Sequence, residues 1–331
     1  MPRTKILGTG MYVPKKIVTN FDLEKTLDTS DEWITERTGI KERRISSTTG
    51  GEFPTDMAKY ATEEALKNAG LDRNDIDLIL FATVTPDMPL PCSASILQTK
   101  LGITNHCACF DLSAACSGFV YGLDLADSYI KTGKAEHVLV IGSEMLSTVV
   151  NWKDRSVCIL LGDACGATIL GRSGDTDESD ILATHLSADG TGKEYFDNPI
   201  GGAVAPLTVE HIAKREHFMH MKGRDMFKVA TRTLAKNTRT VLKKADIQME
   251  NVDWLVPHQA NIRIINTTVS ILKFDINKTV INIEKYGNTS SATIPVAFHE
   301  AIMENKIKRG QTVVFSAFGA GLTSGSIVFK Y

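Results

Sequence analysis

The sequence is poor in cysteine and aromatic residues and nearly neutral overall. Its six cysteines (Cys92, Cys107, Cys109, Cys116, Cys158, Cys165) in 331 residues form no CxxC pair and stand near no histidine cluster. That pattern indicates neither a zinc site nor a disulfide framework, and reduced thiols are expected. Thirty-seven basic against 39 acidic residues leave a formal charge of -2, so no global field recruits nucleic acid or an anionic membrane. No run of about 18 uncharged apolar residues occurs. The chain passes from Met1 directly into a short apolar run ending at Gly8, and a cytoplasmic protein is expected. Nucleotide-binding glycine loops are missing too. Gly162-Asp-Ala-Cys-Gly166 and Phe318-Gly319-Ala-Gly-Leu-Thr-Ser-Gly325 lead into apolar runs without the lysine and helix such loops need.

What is present is an ordinary globular composition, 43% hydrophobic with 25 Gly and 10 Pro, long enough to bury about three quarters of its unfolded surface. Apolar runs at Asp77 to Val84, Cys109 to Leu112, His137 to Ile141 and Val313 to Ala317 read as strands. Helical periodicity marks Asp56 to Ala69, Ser117 to Thr132, Arg224 to Ala245 and Thr293 to Asn305. The alternation argues α/β layers, and continuous Val/Ile/Leu/Phe runs suit sheets covered on both faces.

The chain also repeats itself. An offset of 176 aligns Thr62 with Thr238, Leu66 with Leu242, Lys67 with Lys243, Ala69 with Ala245 and Asp77 with Asp253. An offset of 175 lays Val138 to Ile141 on Val313 to Ser316. Two consecutive elements holding nearly one offset indicate a duplicated half.

Three segments have the residue types and placement for chemistry. Cys116, in Asp111-Leu-Ser-Ala-Ala-Cys116-Ser-Gly118, falls at a strand-to-helix turn, where a helix N-terminus favours thiolate and small neighbours leave room for a reactant. His258, in Val256-Pro-His258-Gln-Ala-Asn261, follows a strand, at the edge where open α/β sheets place ligands; it can donate from Nε2 or act as a base. Asn288, in Tyr286-Gly-Asn288-Thr-Ser, opens the turn equivalent to that of Cys116, since Ser291 is 175 residues beyond Cys116. Pseudo-twofold packing would unite the three. The two glycine segments fit close backbone approach to a substrate carbonyl, with N–H groups as oxyanion donors. His211, His217 and His220 suggest no metal site.

Arg224, Lys228, Arg232, Lys236, Arg239 and Lys243 recur at helical spacing on an arc of roughly 120°. Lys222 to Lys244 holds eight basic residues and one acid, a net +7. Such a face suits an acidic protein or phosphates as readily as bulk solvent.

Taken with Thr29-Ser-Asp-Glu-Trp33-Ile-Thr-Glu-Arg37-Thr-Gly-Ile-Lys-Glu-Arg43, these motifs resemble the β-ketoacyl-acyl carrier protein synthase III family, the initiating condensing enzymes of type II fatty acid synthesis, over the whole chain. The resemblance implies a thiolase-like αβαβα five-layer sandwich of two duplicated halves, residues 1–172 and 173–331, in a homodimer. It implies an acyltransferase: Cys116 takes the acyl group of a short acyl-CoA, then His258 and Asn288 hold the thioester oxygen of malonyl-acyl carrier protein during decarboxylative condensation. Backbone N–H groups of Cys116 and Ala320 would form the oxyanion hole. Trp33 would stack on the CoA adenine, with Arg37 and Arg155 near nucleotide and phosphates, and Thr29, Gly223, Phe227, Ala260 and Asn261 lining the pantetheine tunnel. Gln259, Ala260, Asn261, Ile262, Arg263, Arg224 and Lys228 would meet the carrier protein. Leu90 would reach the partner subunit's acyl pocket. No metal or redox cofactor is implied, since the CoA thioester is a substrate. Ala320 where the family has Gly, Ser324 for Trp, Ala164-Cys165 for Gly-Ala and Leu90 for an aromatic residue depart from the pattern and leave a longer or branched starter open. The competing readings are a related condensing enzyme of a secondary pathway and a non-catalytic carrier-protein-binding paralog.

Overall fold

The computed structural model describes residues 2–331. Its first sheet holds β1 (Thr4–Tyr12), β2 (Leu78–Ala82), β3 (Ala108–Leu112), β4 (His137–Met145) and β5 (Asp163–Arg172) in the order β1-β5-β4-β2-β3. The second holds β6 (Asp180–Ala188), β7 (Trp254–Pro257), β8 (Thr312–Gly319) and β9 (Thr323–Lys330) in the order β6-β9-β8-β7. Thr279 bridges Leu255 in the place that β3 occupies in the first sheet. Strands β3, β2 and β4 run parallel, as do β7 and β8, while β5, β1, β9 and β6 pair antiparallel. Strand starts in the two sheets differ by 176 (Thr4 and Asp180, Leu78 and Trp254) or 175 (His137 and Thr312), matching the offsets of the sequence repeat.

Seven helices matter for the site. These are α1 (Asp31–Thr38), α2 (Pro54–Ala69), α3 (Ser93–Leu101), α4 (Gly118–Lys131), α5 (Gly223–Lys244), α6 (Ile262–Leu272) and α7 (Thr293–Met303). Period-two alternation in the strands sorts them into layers. Ile79, Phe81, Leu139 and Ile141 face outward onto Met57, Ala61, Ala65 and Leu97 of α2 and α3. Leu78, Leu80, Val138 and Val140 face inward onto Phe119, Val120 and Leu123 of α4. Val313 and Phe315 also face inward, onto Ile294, Ala297 and Phe298 of α7, and Val314 and Val328 face outward onto Val241, Leu242, Ile265 and Val269 of α5 and α6. The layers are therefore α, β, α, β, α. The middle core draws on both halves at once: the Phe119 ring centre stands 6.5 Å from that of Phe315, and Phe298 meets Phe315, Phe329 and Tyr331 edge-on at centroid distances of 5.0, 5.7 and 5.3 Å. Such aromatic contacts contribute about 0.5–1.5 kcal/mol each beyond area burial.

One boundary differs from expectation in a way that bears on the site. β4 continues four residues past Ile141 to Met145, because Gly142 to Met145 pair with Asp163 to Gly166 of β5. Its Glu144 is buried inside this extension. A carboxylate interrupts the apolar pattern, yet the strand continues because hydrogen-bond donors surround it. Gly142 is needed where it stands: a Cβ there would lie 2.4 Å from the Ser291 carbonyl oxygen of the opposite half.

Candidate active site

Cys116 sits in a single 3-10 turn, Ala115–Ser117, between β3 and α4. The turn is reached through a left-handed Ala115 (φ 46°), and the equivalent turn of the second half, Ser290–Ala292, uses a left-handed Ser290 (φ 51°). β8 ends against this turn, and a Cβ on Gly319 would fall 2.7 Å from the Cys116 nitrogen. Glycine is required there by close approach. Neither the Cys116 nor the Ala320 N–H donates to a carbonyl among the described residues, and both residues line one cavity. That leaves two backbone donors available to a developing oxyanion.

Burial pushes the Cys116 thiol up to about 12; the Glu144 carboxylate adds to the rise, while the Ser290 hydroxyl and the residue's own N–H oppose it. The resting form is the thiol, where helix placement alone suggested thiolate. Desolvation of the anion outweighs the favourable dipole.

His258 follows β7, is 2% exposed, and places Nδ1 2.7 Å from Thr293 Oγ1 at the start of α7. The Ser290 carbonyl already accepts the Thr293 backbone N–H. The Thr293 hydroxyl reaches both that carbonyl, at 3.0 Å, and Nδ1; with its proton turned to Nδ1, the ring carries its own on Nε2, and Nε2–H is the donor facing the cavity. Burial pushes the His258 pKa down to about 3, so the ring is neutral near pH 7 and serves as a donor rather than a base. Asn288 is oriented the same way. Its Oδ1 accepts the Ser290 N–H at 2.8 Å, which leaves the Nδ2 amide for the cavity.

Two cavities meet at these side chains. The first, about 570 Å³, is lined by Trp33, Arg37, Gly223, Phe227, Ala260 and Asn261 and reaches Cys116, His258 and Asn288. The second, about 410 Å³, lies beyond Cys116 and Asn288, with Val84, Leu146, Val149, Leu161, Phe196 and Met219 as its apolar wall. An elongated thioester could pass through the first and leave its acyl group in the second.

Two family models match the chain: 3-oxoacyl-[acyl-carrier-protein (ACP)] synthase III over residues 110–190, and 3-oxoacyl-[acyl-carrier-protein (ACP)] synthase III C terminal over residues 242–331. The beta-ketoacyl-[acyl-carrier-protein] synthase III of Aquifex aeolicus is 49% identical over 328 residues, covering 99% of both chains. That of Caldanaerobacter subterraneus is 48% identical over 326 residues, covering 98% of this chain and 97% of its own. The chain belongs to the 3-oxoacyl-[acyl-carrier-protein] synthase III family. The crystal structure of the Aquifex aeolicus synthase superposes with a TM-score of 0.91 over 99% of this chain and 100% of its own. A priming β-ketosynthase of the R1128 polyketide pathway has a TM-score of 0.90 at 30% identity, over 99% and 96% of the two chains.

Other residues expected to act in this family member divide sharply. Trp33 and Arg37 line the first cavity, but Arg155 does not. The guanidinium groups of Arg37 and Arg155 stand 4.8 and 5.2 Å from the Trp33 ring centre, and Arg155 also bonds to the Asp28 carbonyl. Thr29 lies outside the cavity with its hydroxyl buried and unpartnered. Gln259 cannot meet a docking protein: its side chain is 1% exposed, donating to the Pro257 and Val280 carbonyls and accepting from Asn282 N. Ile262 packs against Gly39 at the end of α1. Ala260 and Asn261 line the cavity, and Arg224, Lys228 and Arg263 stand exposed at its mouth. Leu90 is 85% exposed and lines neither cavity of its own chain. Of the two glycine segments, only Phe318 to Gly325 reaches Cys116; Gly162 and Gly166 instead allow Tyr286 and Pro295 to pack closely.

Sequence reasoning missed Glu144, Ser290, Thr293 and the apolar wall of the second cavity. Glu144 had a signal, a lone carboxylate just after an apolar strand. The wall residues come from five separate segments and had none.

Proposed function

We propose that the chain is a 3-oxoacyl-[acyl-carrier-protein] synthase that condenses an acyl-CoA starter with malonyl-acyl carrier protein, initiating fatty acid synthesis. The observation carrying this reading is the meeting of Cys116, His258 and Asn288 where two cavities join, in a chain 49% identical to a named synthase. In the first stage Cys116 Sγ attacks the thioester carbonyl, the oxyanion is held by the Cys116 and Ala320 N–H groups, and CoA departs. In the second, malonyl-carrier protein enters through the first cavity. Its thioester oxygen receives hydrogen bonds from His258 Nε2 and Asn288 Nδ2 as carbon dioxide leaves, and the enolate carbon attacks acyl-Cys116. Two neutral donors suit an oxygen that gains charge only in the transition state. No metal or redox cofactor is called on.

The acidic carrier protein would dock at the cavity mouth, on Arg224, Lys228 and Arg263 and the rest of the basic face of α5. The apolar wall of the second cavity supports starters longer than acetyl. We assign a cytoplasmic homodimer; the exposed Leu90 supports a second copy.

Incubation with acyl-CoA carrying a radiolabelled acyl group tests the reading. One label per chain on Cys116 is expected, none on Cys116→Ala, and transfer to 3-oxoacyl product on adding malonyl-carrier protein. Equal labelling of the variant would overturn it.

A further inference from the structure

Cys116 begins as a thiol, and His258, its neighbour in the cavity, is a poor base. The sulfur must lose a proton to attack, and the structure holds a path for it. Ser290 lines the second cavity beside Cys116, where its hydroxyl opposes the rise of the thiol's pKa, and that hydroxyl donates to Glu144 Oε1 at 3.1 Å. Glu144 is fully buried, and no lysine or arginine bonds it among the described residues. The other titratable groups facing it are the Cys116 and Cys165 thiols, each pushed up to about 12 by burial.

The two carboxylate oxygens are not equivalent. Oε2 accepts from Val84 N at 3.0 Å, Thr85 Oγ1 at 2.7 Å and Thr83 Oγ1 at 3.2 Å. Both threonine hydroxyls accept backbone N–H groups, from Thr85 onto Thr83 and from Met145 onto Thr85, so their own protons point at Oε2. That oxygen is saturated. Oε1 meets only serine hydroxyls, Ser290 at 3.1 Å and Ser291 at 2.8 Å, and Ser291 has an alternative acceptor in the Ala82 carbonyl at 3.1 Å. Rotating Ser291 onto Ala82 leaves room for a proton on Oε1. Burial raises the carboxyl's affinity for it.

We propose that Ser290 relays the Cys116 proton to Glu144, which keeps it between the two half-reactions; this rests on the acyl-cysteine chemistry proposed above. In acylation the Sγ–H bond breaks, that proton passes to Ser290 Oγ, and the hydroxyl proton of Ser290 passes to Glu144 Oε1. Sγ bonds to the thioester carbon, the carbon–sulfur bond to CoA breaks, and the CoA thiolate takes a proton from solvent. In condensation the enolate carbon displaces Cys116 thiolate, which recovers its proton from Glu144 through Ser290. The cycle consumes one solvent proton, as the overall reaction requires.

The test needs only the intact protein and acyl-CoA without malonyl-carrier protein. At pH 7 CoA leaves as the protonated thiol, since even a cysteine thiol titrates only near about 8.5. Rapid mixing in weak buffer with an indicator dye should show about one proton taken up per Cys116 acylated, with label on Cys116 counted in the same samples. Label without proton uptake overturns the relay and leaves the acyl-cysteine intact, because the thiol proton has then gone to CoA. Absence of label overturns both. A Gln at position 144 can turn its amide nitrogen toward the two serines and so imitates the protonated state. Glu144→Gln should lose the uptake and acylate on the order of 10²-fold more slowly; unchanged acylation would also overturn the relay.

Discussion

His258 combines two roles that follow from a single cause, its burial. The ring is neutral because water is excluded, and Thr293 holds Nδ1, so that Nε2 is the nitrogen facing the cavity. Replacing it by glutamine, which cannot reproduce both contacts, should leave labelling of Cys116 intact and abolish release of carbon dioxide from malonyl-carrier protein. The same residue makes stability pH-dependent. Its folded pKa, about 3, lies below the unfolded value of 6.5, so between these values the unfolded chain binds the extra proton. Stability therefore falls as pH drops below about 6.5, by about 1.4 kcal/mol per pH unit from this group. The Tm of the wild type should fall more steeply between pH 6.5 and 5 than that of His258→Gln, and parallel slopes would exclude the effect. Of the residue-level site, Cys116, His258 and Asn288 were legible because each stands in a local context unusual for its type. Glu144 and Thr293 were missed, since their importance lies in what they touch: Glu144 meets Ser290 and Ser291 of the opposite half, and Thr293 meets His258, 35 residues away along the chain.

Among the elements, α5 shows how a surface pattern becomes specific only in place. Its apolar positions Ala230, Leu234 and Val241 are buried, and Arg224, Lys228, Arg232, Lys236, Arg239 and Lys243 are exposed, as the periodicity predicts. None of the six joins an ion pair among the described residues. Position then separates them. Arg224 and Lys228 stand at the mouth of the first cavity, where both substrates pass, whereas Arg232 and Lys236 lie further along the helix. Arg232→Glu with Lys236→Glu should raise the KM for malonyl-carrier protein about tenfold and weaken its dependence on salt, while leaving Cys116 acylation by acyl-CoA unchanged. A KM that does not move would return this face to plain solvation. Reversal at Lys228 would disturb both substrates and could not discriminate.

Across the whole molecule, the two halves cannot be independent domains. Leu80, Val140 and Phe119 of the first share one buried cluster with Val256, Phe298 and Phe315 of the second. Met219 and Met221 of the second half pack onto Leu146, Val150 and Val157 of the first. Residues 1–172 alone would expose the inner face of a sheet and α4 to water, at a cost of about 1.5–3 kcal/mol for each large apolar side chain. That fragment should show no cooperative thermal transition and no acylation of Cys116. A sharp transition in calorimetry would mean that the first half is a domain in its own right. Composition, period and the repeated offset were enough to establish the layers, the duplication and the residues of the nucleophilic turn, because those are properties of neighbours along the chain. Only the tertiary structure decided that Cys116 rests as a thiol, that Gln259 is buried, and that Glu144 faces the reacting sulfur through Ser290. Each of these depends on desolvation or contact between segments more than 100 residues apart, and local spacing carries no record of either.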